Sequence, residues 1–213
     1  MPKDLKANLL FRQKILEECY LDPEVDEAVK EFCKDDILFF INTFCWVYEP
    51  RSRAVIPFLT WEFQDDTITR IVELLGKKDV ILEKSRDMGA SWMVLTIFFW
   101  QWCFHPYSAM GLVSRTEDAV DKSDDPDTLM WKLDFHLRNL PSFLKPELNK
   151  NDRSSLKLKQ PDNESTIVGY SATGDVARGG RKLAFMMDEL AAFKADDGYA
   201  AYASTQHVTD CRV

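Results

Sequence analysis

Hydrophobic positions keep helical spacing at the start of the chain. LKANLLFRQKILEECYL predicts one helix and DPEVDEAVKEFC a second, opened by Asp22-Pro23, so residues 4–34 form two helices. Residues 35–50, DDILFFINTFCWVYEP, are denser in apolar side chains and predict a short buried helix ending at Pro50. Phe39, Phe40, Phe44, Trp46 and Tyr48 are read as core packing. A further helix runs over 62–75 and stops at Gly76. The pattern then alternates. DVILEKS predicts a strand, ASWMVLTIFFWQWCF an amphipathic helix, AMGLVSR a strand and PDTLMWKLDFHLRNL a helix. SLKLKQ and STIVGYS predict a short hairpin, KLAFMMDE a buried strand, and CRV the start of another strand.

Alternating helices and strands after residue 60 place the chain in the α/β class. A helical N-terminal segment, residues 1–56, precedes a core over 57–213. A chain of 213 residues that is 46% hydrophobic can bury a sizeable core. No apolar run approaches the ~20 residues of a membrane span, and MPKDLKANLL lacks the apolar centre of an export signal. Stopping inside a strand reads as a piece of something longer. The five cysteines, Cys19, Cys33, Cys45, Cys103 and Cys211, are scattered and form no CxxC pair. They read as reduced thiols in a cytoplasmic setting.

Net charge is −8, and residues 17–36 hold nine acids against Lys30 and Lys34. The remainder is close to neutral, which excludes a strongly basic nucleic-acid binder but not a motor touching DNA through a few residues.

Candidate chemistry begins at ILEKSRDMGAS, where an apolar run enters a polar loop and Ser91 opens an apolar helix. Aligned with the phosphate-loop pattern by its second glycine, the segment has Lys84 at the first-glycine position, Gly89 at the second, Ala90 where lysine usually stands, and Ser91 at Ser/Thr. Backbone amides of Ser85, Arg86, Asp87, Met88 and Gly89, with the helix N-terminus at Ala90, suit phosphate oxygens. Ser91 suits Mg²⁺. Lys84 and Arg86 are both candidates for the cation on the terminal phosphates, and a solvated turn is the plain alternative.

The second motif is RKLAFMMDEL, five apolar residues ending in Asp188 and Glu189. Such a strand fits the partner strand of a phosphate-loop NTPase, with Asp188 on the Mg²⁺ shell and Glu189 orienting or deprotonating water. Gln64, about twenty residues before the loop, stands where many translocases read adenine, with an exposed helix residue as the plain alternative. Phe58 and Trp61 are candidates to stack near the base or to pack in the core. TGDVARGGRKL offers Arg178 first and Arg181 second as an arginine donated to a neighbouring subunit, with DNA-phosphate contact or a plain solvated loop as the alternative. Arg115 ends a strand. DKSDDPD lacks calcium-loop spacing and reads as a helix N-cap at Asp125 before Pro126. His105, His136 and His207 are isolated.

KSRDMGAS followed by FMMDE, with Gln64 upstream, resembles the ATPase domain of the large terminase subunit of tailed bacteriophages. Many members of that family carry their loop lysine at the entrance, as Lys84 stands here. The resemblance covers residues 57–210. It implies a RecA-like core of the additional-strand kind with a mainly parallel sheet, binding ATP and Mg²⁺. It also implies packaging of double-stranded DNA into a procapsid, with a portal protein, a small terminase subunit and a homo-oligomeric ring as partners. The setting would be the host-cell cytoplasm, transiently at the portal. The family's Ser/Thr coupling motif and its C-terminal nuclease domain, which would make the parent also an endonuclease, are not in this chain. Two rivals remain: a helicase-like translocase of the same broad fold, and a non-catalytic module docking on portal or adaptor proteins through the acidic N-terminal helices.

Overall fold

The computed structural model describes residues 1–85, 87–172, 181–193, 198, 200, 202 and 203. The expected strand at 211–213, together with Cys211 and His207, lies outside them. The chain divides into two compact units: residues 1–69 with 134–145, and residues 70–133 with 146–213.

The first unit opens with α1 (Leu5–Leu21) and α2 (Pro23–Asp35). Asp4 caps α1 by accepting from the Ala7 amide, and Asp22 caps α2 with Pro23 in its first turn. Helix α3 (Ile37–Phe44) follows, capped by Asp36. The expected continuation to Pro50 does not form. Cys45 turns extended, and β1 (Trp46–Glu49) pairs antiparallel with β2 (Ala54–Pro57). The alternating aromatic and β-branched residues of WVYE have a partner four residues downstream, and a hairpin satisfies their backbone groups locally. Phe39, Phe40 and Phe44 are core as expected, whereas Trp46 and Tyr48 are only half-buried on the strand.

Arg12 ties α1 to this unit. It is 3% exposed and donates to Asn8 Oδ1 (2.7 Å), the Cys45 carbonyl (2.9 Å) and the Ile41 carbonyl (3.5 Å). Its guanidinium lies 4.9 Å from the Trp46 ring centroid. Burial lowers its pKa to about 10, so it stays charged at neutral pH. A second network joins Lys3, Asn42, Thr60 and Asp65. Phe143, from the 134–145 segment, meets Phe44 edge-on at 5.8 Å.

Helix α4 (Glu62–Leu74) ends near Gly76, whose φ of 72° is the left-handed conformation that glycine adopts freely. Residues 79–85 run extended but join no ladder, against the expected strand. Ile81 is 91% exposed. An apolar run becomes a strand only where a neighbour accepts its backbone bonds, and none does so among the described residues.

Helix α5 (Ala90–Phe104) forms with the expected bounds. It is not amphipathic: eight of its residues, from Met93 through Trp102, are buried around the helix. The sheet of the second unit then builds from β3 (Ala109–Ser114), the short α6 (Glu117–Val120), α7 (Leu129–Asn139), β4 (Arg153–Ser154), β5 (Lys157–Lys159), β6 (Thr166–Ser171) and β7 (Ala184–Met187). Asp125 does not cap α7. It closes a preceding turn by accepting from the Asp127 amide, and the helix starts at Leu129.

Strand order is β4-β5-β6-β3-β7. β3 is parallel to both β6 and β7, and the expected hairpin of β5 with β6 is antiparallel. The result is an α/β unit on a mixed sheet whose core is parallel. On one face, Val113, Ala172, Phe185 and Phe193 cluster, with Tyr170 and Met187 against them. Gly111 sits within this face. A Cβ there would lie 2.2 Å from the Phe185 ring, so the ring occupies the space a side chain would need.

No disulfide joins the described cysteines: Cys19, Cys33 and Cys45 are buried, and burial raises the thiol pKa of each. No helix among the described residues is long and apolar enough to cross a membrane.

Two outcomes follow. Gly111→Ala should lower stability by about 1–3 kcal/mol through overpacking against Phe185, read from urea midpoints. His136 is buried in the first unit, and burial alone lowers its pKa from 6.5 to about 3. Between those values the unfolded chain binds a proton that the folded chain does not, so stability falls as pH drops from 6.5 toward 3. His136→Leu should flatten the stability–pH slope in that window by up to about 1.4 kcal/mol per pH unit, measured by denaturant titration across the range.

Candidate functional site

Three parallel strands finish at one edge of the sheet. Ser114 pairs with Ser171, and Val113 pairs with Met187. The Ala172 amide donates to the Ser114 carbonyl (2.8 Å) and the Asp188 amide to the Val113 carbonyl (2.9 Å), which extends both ladders by one residue. Residues leaving this edge are therefore Arg115, Ala172, Asp188 and Glu189. Ligands of open α/β sheets bind outside the carboxyl ends of the strands.

The loop–helix junction meets this edge. Ser91, in the first turn of α5, donates its hydroxyl to both carboxylate oxygens of Asp188, at 3.0 and 3.2 Å. The two motifs are 97 residues apart in sequence and share one hydrogen bond in space. Gly89 is the N-cap of α5 with φ 70° and no side-chain cap. Asp87, two residues before it, is also left-handed, with φ 63°. Left-handed residues in a loop ahead of a helix turn backbone amides toward a common concavity, which suits an anion. Asp87 is exposed, and Met88, Gly89 and Ala90 are half-buried. Lys84 and Ser85 are exposed on the extended entrance, and Arg86 lies outside the described residues.

Glu189 is exposed and has φ 54°, a left-handed backbone for a side chain with a Cβ. It caps a short 3₁₀ turn, Leu190–Ala192.

Sequence reasoning did not single out Lys132. This half-buried lysine on α7 donates to the Asp127 carbonyl at 2.7 Å. Burial lowers its pKa, against the raising influence of Asp188, then Asp127, Asp125 and Glu189. It is thus a cation within electrostatic reach of both strand-end acids. In sequence it is a single lysine between Trp131 and Leu133.

Other expected residues stand elsewhere. Arg115 is exposed just past β3. Arg181 is exposed before β7 begins, where Leu183 donates to the Ala109 carbonyl. The whole of β7 lies between it and Asp188. Gly174, Arg178, Gly179 and Gly180 lie outside the described residues. Gln64, in the first unit, is 4% exposed, and its Oε1 accepts from the Trp61 amide at 3.0 Å. That bond is half of a capping box at the start of α4. Phe58 is buried, whereas Trp61 is 56% exposed and tilts against Phe63.

Ser91 and Asp188 present two hard oxygen donors, which fit Mg²⁺ when phosphates and water complete its shell. Among the described residues, no group of three or more His, Cys, Asp or Glu gathers as a self-sufficient metal cage.

A double-mutant cycle of Ser91→Ala and Asp188→Ala should show a coupling energy of about 1 kcal/mol, read from denaturation midpoints. Strictly additive effects would mean the bond contributes nothing. The sequence matches no known protein-family model, so the role of this site rests on its own chemistry.

Proposed function

We propose that the chain is the ATPase motor domain of a viral large terminase subunit, hydrolysing ATP to drive double-stranded DNA into a procapsid. The observation that carries the reading is the Ser91–Asp188 hydrogen bond at the carboxyl edge of parallel strands. It joins a glycine-hinged loop and helix N-terminus to an acid-tipped strand, the arrangement that phosphoryl transfer needs. The core is then of the RecA-like, additional-strand kind, with β3 between β6 and β7 in its parallel part.

In this reading the amides of residues 84–91 hold the phosphates. Lys84 and Arg86 are the candidate cations for the terminal ones, since Ala90 occupies the usual lysine position. Ser91 and Asp188 would hold Mg²⁺, which would supply positive charge against the phosphates. Glu189 orients the attacking water and takes its proton as the new bond to the γ-phosphorus forms and the bond to ADP breaks. Lys132 holds positive charge beside the acids. Arg178 or Arg181 serves a neighbouring subunit in a ring. The placement of Arg181 at the amino end of β7 suits donation outward rather than to its own Asp188. Reading adenine with Gln64 requires its carbonyl to leave the Trp61 amide. Portal protein, small terminase subunit and DNA are the partners this function requires, and the host cytoplasm is its setting.

Titrating a fluorescent ATP analogue with Mg²⁺ tests the reading. Wild type and Glu189→Gln should bind alike, while hydrolysis by Glu189→Gln falls by about 10²-fold or more. Lys84→Ala should weaken binding by about tenfold or more. No binding by wild type would overturn the ATPase reading. Unchanged turnover in Glu189→Gln would remove Glu189 as the water-activating residue.

A further inference from the structure

Helix α1 buries only Asn8, Arg12 and Cys19 among its seventeen residues. Several of its outward positions are apolar: Leu9 is 41% exposed, Leu16 40% and Tyr20 90%. These three recur on one face, and with Trp46 they line a cleft of about 400 Å³. Two charged residues, Arg12 and Glu17, also line it. The Arg12 charge is turned inward to the carbonyls of Ile41 and Cys45, so it does not set the cleft's outer potential.

The surrounding charge has a direction. From the Glu17 end of the cleft onward, the chain carries Glu17, Glu18, Asp22, Glu24, Asp26 and Glu27. Two lysines answer them: Lys14 lies 3.7 Å from Glu18, and Lys30 lies 3.9 Å from Asp26 and 3.1 Å from Glu27. An apolar cleft of this size takes two or three anchoring side chains. The excess of acid at one end favours cations on whatever supplies them. It also disfavours an anionic lipid surface, which would meet like charge.

We infer that this cleft docks an amphipathic helix of a second protein. Its apolar anchors would seat among Leu9, Leu16, Tyr20 and Trp46, and its Lys or Arg residues would lie along the acids at the α1–α2 junction. Helix-in-groove recognition reads anchors at i, i+3/i+4 and i+7 of the incoming helix, and Leu9, Leu16 and Tyr20 recur at i, i+7 and i+11 along α1 to receive them. The surface belongs wholly to the first unit and does not depend on the nucleotide reading.

The test uses two synthetic helical peptides with identical leucine spacing, one with lysines and one with glutamates on the polar face. Fluorescence anisotropy would follow each against the whole chain. The Leu–Lys peptide should bind, and the Leu–Glu peptide should bind about tenfold more weakly or worse. Leu9→Asp with Leu16→Asp should weaken the Leu–Lys peptide by about tenfold or more. Both positions are exposed, and an unchanged thermal melt would show the fold intact. Three results would overturn the inference. One is equal binding by the double variant, which would leave only diffuse electrostatics. Another is failure of the Leu–Lys peptide to bind. The third is self-association of the peptide-free chain that the double variant abolishes, which would assign the cleft to a second copy.

Discussion

The side chain missing at Gly111 sets the geometry of the second unit. Among the described residues β3 is the one strand with parallel neighbours on both sides, and Gly111 lies opposite Phe185 in its register with β7. Because no Cβ stands there, the Phe185 ring settles over the centre of β3 and joins Val113, Ala172 and Phe193. That packing resists a register slip, since a one-residue shift would turn Phe185 and Met187 to the other face. With the register held, Asp188 leaves the sheet beside Ser114 and meets Ser91. The polar contact at the edge thus rests on an apolar fit three residues upstream.

The first unit is organised around a cation instead. Arg12 reaches the carbonyls at the end of α3 and lies over Trp46, so one side chain connects a helix, a helix terminus and a strand. A buried guanidinium satisfied by backbone oxygens fixes orientation better than apolar contact would, because its donors have set directions. This explains how α1 stays placed while burying so little apolar surface.

Much of the fold was legible where a local rule decided it. Asp4, the Asp22-Pro23 pair and the Gly89 hinge mark helix ends, and α1 and α5 form with the bounds their sequence predicts. Elements that depend on distant partners were not legible. WVYE continues an apolar helix by composition and becomes a strand only because AVIP lies within hairpin reach. DVILEK has strand composition yet no ladder partner among the described residues. The site divides the same way. Spacing alone put Ser91 and Asp188 in one hypothesis, and tertiary structure put them in one hydrogen bond. Lys132 was invisible because its proximity to the acids is a property of helix packing. The capping bond of Gln64 was hidden because Trp61, at the N-cap, lacks the hydroxyl that usually announces a capping box.

The left-handed backbone at Glu189 has a consequence of its own. A residue with a Cβ held there costs about 1–2 kcal/mol, and glycine would release that strain while deleting the carboxylate. Selection for stability and selection for chemistry therefore pull this position in opposite directions. Libraries screened for thermal tolerance alone would enrich glycine at 189, and with it proteins that melt later and have lost an acid from the sheet edge.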